Sequence, residues 1–144
     1  MTEVFADTFY FIGLLNTEDP AHEKAIMASL EHGRRFVTSE AVMTELGDTL
    51  NSPGDREDFN TLMQMVRKDA AWELVPSSRE LFRAGHDIFR RHRDKSWQMT
   101  DCMSFAVMRQ RHIKAALTGM HTLFRRVSLR CCAEPRLPVF FALG

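Results

Sequence analysis

Asp101 and Ser104 stand one helical turn apart in Met99-Thr100-Asp101-Cys102-Met103-Ser104-Phe105-Ala106-Val107-Met108, where every other residue after Thr100 is apolar. A helix of that composition is buried. It therefore carries a carboxylate toward the interior, where the charge must be paired, hydrogen-bonded or bound to a cation. An acid in a first turn can also simply serve the helix dipole, so the other carboxylates decide between these roles. Asp7 ends the apolar run that starts at Glu3, and Glu45 lies among Ala41, Val42, Met43 and Leu46. Periodicity turns Glu45 near the apolar side and leaves Glu40 and Asp48 toward solvent. Immediately before the Asp101 helix, Arg90-Arg91-His92-Arg93-Asp94-Lys95 gathers four cations and a histidine. Such runs are most often solvated faces, and the same charges can also hold phosphates.

The elements that must position these groups alternate between strand and helix. Glu3-Val4-Phe5-Ala6-Asp7-Thr8 reads as a short buried strand ending in a carboxylate, and it runs at once into the apolar helix Phe9-Tyr10-Phe11-Ile12-Gly13-Leu14-Leu15. Asp19 and Pro20 predict the start of a helix reaching about Glu31, with His22 on its solvated surface. Phe36-Val37-Thr38 is a second strand, capped into the Glu45 helix by Ser39. Asn51-Ser52-Pro53-Gly54 closes that helix, and Arg56 to Lys68 continues as another. Trp72-Glu73-Leu74-Val75-Pro76 predicts a third strand, Ser77 the cap of the helix that reaches the basic run, and Thr100 the cap of the Asp101 helix. Ala115-Ala116-Leu117-Thr118 is the fourth strand, ending at Gly119. Strands that each feed a helix predict an α/β domain with a parallel sheet, and ligands in such sheets sit at the carboxyl ends of the strands, where Asp7 falls.

The totals narrow the field. A chain of 144 residues with 44% hydrophobic and 26% charged content suits one globular domain. Its formal net charge of zero gives no global attraction to a polyanion, so any nucleic-acid partner must be held by local basic patches or through metal ions. Three cysteines, two of them adjacent at Cys131 and Cys132, form no disulfide framework and no zinc spacing, which points to a reducing cytoplasm. No stretch approaches the roughly 18 to 20 apolar residues of a membrane span, and Met1-Thr2-Glu3 lacks the basic start of a signal peptide.

With these acids located, the sequence closely resembles the PIN-domain family, and within it the VapC-like ribonuclease toxins of toxin–antitoxin pairs. The resemblance rests on Asp94-Lys95-x-Trp97-x-x-Thr100-Asp101-Cys102-x-Ser104-Phe105-x-Val107-Met108 and spans about residues 3 to 119. It implies a three-layer α/β/α PIN-like domain with a small parallel sheet over residues 1–124, followed by an atypical segment at 125–144. It further implies that Asp7, Glu45 and Asp101 gather as catalytic acids around Mg2+ or Mn2+, with Thr8 and Ser104 as accessory polar groups. Arg90, Arg91, Arg93 and Lys95 would then hold RNA. The chemistry agrees with this reading: phosphodiester hydrolysis needs a nucleophilic water and neutralisation of growing phosphoryl charge, and oxygen-ligated divalent cations supply both.

The function so implied is that of a metal-dependent endoribonuclease, the toxin of a type II toxin–antitoxin pair, cytoplasmic, commonly homodimeric and held by a cognate antitoxin. The alternative is a catalytically impaired PIN-like remnant that only binds RNA or antitoxin. What separates them is the position after the fourth strand, where the family has a fourth acid in a segment of the kind Asp-x-His-Phe-x-x-Ala-Gly-Phe. This chain has Met120-His121-Thr122-Leu123-Phe124 there, and a thioether cannot ligate a hard cation as a carboxylate does. If codon boundaries move so that each codon takes the last base of one residue and the first two of the next, synonymous choices from Gly119 read Asp-Ala-His-Phe-Val-Pro-Ala-Gly-Phe. The terminus is accordingly expected to be frameshifted, with residues 125–144 weakly attached to the sheet.

Overall fold

The computed structural model describes residues 2–118 and, as backbone, 139–142. Its elements run β1 (Thr2–Ala6), α1 (Thr8–Leu15), α2 (His22–Ser29), β2 (Arg34–Ser39), α3 (Glu40–Thr49), α4 (Pro53–Lys68), β3 (Trp72–Val75), α5 (Arg79–Arg91), α6 (Met99–Gln110), β4 (Ala115–Thr118) and β5 (Val139–Ala142). Every strand pairs in parallel, in the order β3-β2-β1-β4-β5, and helices cover the sheet as the strand–helix alternation predicts. The register sets Val4 beside Phe36, Phe36 beside Trp72, and Ala6 beside Leu117. A parallel sheet covered on both faces needs continuous apolar strands, and Val4, Phe5, Ala6, Phe36, Val37, Ala116 and Leu117 are all buried. The chain lays β2 and β3 on one side of β1, then returns to lay β4 on the other. The carboxyl ends of β1 and β4 thus flank the point where the winding reverses, the usual place for a ligand in such a sheet.

An aromatic group locks the first helix to the second and third strands. Trp72 stacks on Phe36 with ring centroids 4.8 Å apart and lies 5.5 Å from Phe11. Tyr10 is fully buried, and its hydroxyl is 2.5 Å from that of Ser29. Because Ser29 donates to the carbonyl of Ala25 at 2.8 Å, Tyr10 is the donor of the pair, which satisfies its one buried polar atom. Thr38, also buried, donates to the Ala6 carbonyl at 2.9 Å and ties β2 to the end of β1.

Helix starts depart from the sequence reading by one to three residues; the largest departure is α4, which begins at Pro53 rather than Arg56 because Ser52 caps it and Pro53 suits a first helical position. Ser39 caps α3 as expected, with the Val42 amide 3.2 Å from its hydroxyl. Ser78, rather than Ser77, caps α5, because Glu40 takes the Ser77 hydroxyl as well as its amide, the latter at 2.6 Å. Gln98, rather than Thr100, is the N-cap of α6, which makes Asp101 the third residue of the helix and lets its carboxylate accept the Gln98 amide at 2.8 Å. Helix α2 begins at His22 because Asp19 first closes a turn, accepting from the Ala21 amide at 2.8 Å. His22 itself is half-buried, with its ring Nδ1 2.9 Å from the Gly13 carbonyl, and is not the solvated residue the sequence suggested. Strand β5 places Val139 beside Ala115 and Phe141 beside Leu117. Met120 and the remainder of 119–138 lie outside the described residues; of the 125–144 segment expected to be weakly attached, only 139–142 are described, and there the backbone pairs with all four residues of β4. No helix among the described residues is long and apolar enough to cross a membrane.

Helices α5 and α6 come into close contact at Gly85. A Cβ placed there would lie 2.5 Å from Met103 Cγ and 3.0 Å from the Met103 backbone. The backbone cannot withdraw as a flexible side chain can, so Gly85→Ala should lower stability by about 1–3 kcal/mol through overpacking. Gly54, in the first turn of α4, has nothing within 4 Å of such a Cβ, and Gly54→Ala should be neutral or stabilise by up to about 1 kcal/mol. Chemical denaturation of the two variants checks the contrast; a Gly85→Ala protein as stable as wild type would contradict the close packing.

Candidate active site

Two helix starts and the middle of a third helix deliver the acids. Asp7 is the N-cap of α1 directly after β1, and its Oδ1 accepts the Tyr10 amide at 3.1 Å. Glu45 lies midway along α3, where its carboxylate accepts a short hydrogen bond from the Thr8 hydroxyl. Asp101 is in the first turn of α6. Together they line one small cleft with Thr8, Phe9, Val42, Thr100 and Ser104. Every acid and accessory residue picked out from sequence is therefore at the same place. Thr8 and Ser104 are buried, and Ser104 donates to the Thr100 carbonyl at 2.9 Å.

The electrostatics of the cleft are those of crowded, dehydrated acids. Loss of water pushes the Asp7 carboxyl up to about 7, and the negative charge of Asp101 adds to the rise. The Thr118 hydroxyl and the Tyr10 and Phe9 amides work the other way without cancelling it. Asp101 is also raised, mainly by burial and then by Glu45, against the Gln98 amide. Thr118 escaped the sequence reading. It is the last residue of β4, beside β1 in the sheet, and the rule that ligands gather at carboxyl strand ends could have found it.

The three acids share the cleft without forming a closed ligand set. Among the described residues no three His, Cys, Asp or Glu side chains converge on a point where a metal ion could sit. Each carboxylate is instead held by a local donor: Asp7 by the start of its own helix, Glu45 by Thr8, Asp101 by the Gln98 amide. The donor set is nevertheless hard oxygen throughout, and Mg2+ characteristically takes only one or two protein carboxylates and keeps several waters. Asp7 and Asp101, with Glu45 joining through Thr8 or water, fit that requirement chemically.

The basic run lies next to this cleft in sequence, at the end of α5. Arg90 and Arg91 share Asp87 at 2.7 and 3.1 Å, and Lys95 holds Asp94 at 2.9 Å. Arg93 is exposed and makes no ion pair among the described residues. The Arg90 and Lys95 pairs are solvated and weak, so these cations stay available to an anion.

The PIN-domain family model matches residues 4–128, most of the chain and all of the acids just described. The chain belongs to the PIN-domain family. No curated protein sequence matches it. Among solved structures, this PIN domain is similar to the Mycobacterium tuberculosis toxin VapC20, described as cleaving the sarcin-ricin loop, with 23% identity and a TM-score of 0.72 over 83% of this chain and 91% of that one. It is also similar to a chain of VapBC2 from Rickettsia felis, solved bound to a DNA fragment from its promoter, with 10% identity and a TM-score of 0.61 over 83% and 89%. A third is VapBC-5 of the toxin–antitoxin family from M. tuberculosis, with 15% identity and a TM-score of 0.54 over 83% and 86%. At these identities the likeness establishes the fold, a PIN domain built like VapC toxins.

The raised Asp7 carboxyl has a consequence for stability. In the unfolded chain this group ionises near its ordinary value of 3.8, whereas in the folded protein it stays protonated to about 7. Between those values the native state binds the extra proton, so stability falls as pH rises, by at most about 1.4 kcal/mol per pH unit from this group. Asp7→Asn keeps the amide-accepting cap and removes the charge. In metal-free buffer its melting temperature should match wild type near pH 4 and exceed it at pH 8. Thermal scans across that range check this, and a variant less stable than wild type at pH 8 would show that Asp7 is not strained.

Proposed function

We propose that this PIN domain is a metal-dependent endoribonuclease that hydrolyses phosphodiester bonds in RNA and is the toxin of a type II toxin–antitoxin pair. The observation that carries the reading is the single cleft lined by Asp7, just after β1, Glu45 of α3 and Asp101 of α6, beside the point where the sheet reverses its winding. Asp7 and Asp101 are proposed as the principal holders of Mg2+ or Mn2+, with Glu45 completing the acidic set. Bound there, the ion would activate water and neutralise phosphoryl charge. The chain's own contribution is positional. Thr8 orients Glu45, Thr118 and the first amides of α1 orient Asp7, and Ser104, fixed on Thr100, shapes the wall beside Asp101. Arg90, Arg91, Arg93 and Lys95 would take the RNA backbone, with an affinity that falls as salt rises.

The partner assignment, a cognate antitoxin, draws support from solved relatives named as VapBC pairs. Ile26, Met27 and Leu30 form an exposed apolar cluster around α2, of a kind that protein partners cover; a homodimer and an antitoxin would both use such a surface. A second reading, the impaired remnant that only binds, is favoured by one observation: the acids as they stand do not converge on a single point.

Cleavage assays separate the two. Purified protein with Mg2+ or Mn2+ should cut a structured RNA and lose this activity in chelator. Asp7→Asn and Asp101→Asn should each reduce the rate by about 100-fold or more while the fold is retained, because each removes a charge needed to hold the ion. Divalent cation should also raise the melting temperature of wild type and of neither variant. Cleavage by Asp101→Asn at the wild-type rate would defeat the site assignment, and absence of both cleavage and metal-induced stabilisation in wild type would favour the remnant.

A further inference from the structure

Helix α6 has a second working face. On the side away from the acidic cleft, the end of α5 and the start of α6 enclose a groove of about 370 Å³, lined by Phe89, Arg90, His92, Arg93, Lys95 and Trp97 with Cys102 at its base. That volume is in the range of small-ligand sites. We infer that this groove takes one unpaired nucleotide of a single-stranded RNA segment, its base against the Phe89 and Trp97 rings and its phosphates on Arg93 and its neighbours. The inference rests on the reading of the adjacent cleft as an RNA-cleaving site and specifies what part of the substrate is recognised beside it.

Four observations carry it. Phe89 is 46% exposed, an aromatic surface left open to water immediately before the most basic stretch of the chain. Trp97 is half-buried and held in place, edge-on to Phe105 at 4.9 Å and 5.2 Å from the His92 ring, so the wall it offers is preformed. The charge is cationic even after the local pairs are counted, since Asp87 and Asp94 answer Arg90, Arg91 and Lys95 while Arg93 makes no ion pair among the described residues. Finally, Cys102 lines the groove while its neighbours Asp101 and Ser104 line the cleft, so groove and cleft lie back to back across one helix, about 10–12 Å thick with its side chains. A few nucleotides of single strand span that distance.

Rings and cations in one groove discriminate between ligands. A phosphate alone would use the cations and leave the rings idle. A base-paired duplex hides its base faces, whereas an unpaired nucleotide offers a face to stack on aromatic side chains and a phosphate to cations.

The test is fluorescence anisotropy on the full chain, in chelator so that nothing is cut, with a labelled single-stranded decaribonucleotide and a blunt RNA duplex of the same length. Phe89→Ala should weaken single-strand binding by roughly 5-fold or more and change duplex binding less than twofold. Phe89→Leu, which keeps apolar bulk and loses the ring, should behave like Phe89→Ala, and melting curves confirm that both are folded. Arg93→Gln should weaken binding and reduce the dependence of log affinity on log salt by about one. Single-strand affinity within twofold of wild type in both Phe89 variants overturns the proposal, as does equal loss toward strand and duplex. If wild type binds through Phe89 yet never cleaves with Mg2+ or Mn2+, the nuclease reading has failed and the groove stands. If it cleaves and the Phe89 variants bind normally, the groove alone has failed.

Discussion

The dehydration of Asp7 is the constraint around which this structure is arranged. A half-buried carboxylate at the end of a strand buried on both faces has lost much of its water, and no cation among the described residues offsets that loss. What it receives instead are dipoles: the first amides of α1, and the hydroxyl of Thr118 at the end of the neighbouring strand. These are arrangements that parallel strands provide without extra elements, because every strand ends at the same edge of the sheet and every following helix begins there. The same geometry brings Asp101 close enough to make matters worse. A fold that set out only to be stable would have placed an asparagine or serine at position 7, since either caps a helix without a charge.

The opposite edge of the sheet shows how differently charge is treated where it has a structural role. Arg111, just past the end of α6, reaches Glu3 on β1 at 2.8 Å and Glu73 on β3 at 2.5 and 2.9 Å, and Arg35 of β2 reaches Glu73 at 2.9 Å. Here opposite charges meet, and the Arg111 guanidinium holds the Glu3 carboxyl below its usual range. One edge of the sheet is thus clamped by matched charges while the other gathers like charges.

Much of this could be read from the residues. Asp7 and Asp101 were legible because each interrupts an otherwise apolar run, and burying a charge without purpose is costly. Glu45 was legible only by periodicity on α3 together with the family pattern, since a glutamate on a helix is usually solvated. Thr118 was not legible as a site residue because a threonine ending a strand is ordinary; only the order of strands puts it beside Asp7. The caps slipped because Ser77 and Ser78, or Gln98 and Thr100, differ in partners that lie far away in sequence, such as Glu40 for the Ser77 amide. The fifth strand was hidden for a related reason: Val139 to Ala142 read as apolar, but nothing local says that β4 is where it pairs.

The two charge patterns also oppose one another with pH. Glu3, with its carboxyl lowered by Arg111, contributes stability that is present above its unfolded value and lost as pH falls through the lowered one. Asp7, raised by burial, costs stability as pH rises from its unfolded value to about 7. The clamp is therefore fully formed across the range in which the cleft becomes charged. The sheet can hold a strained carboxylate at one edge because the strand ends at the other are tied by pairs that neutral pH leaves intact. It follows that neutralising the cleft, by a proton or by a cation, relieves strain without disturbing what holds the strands in register.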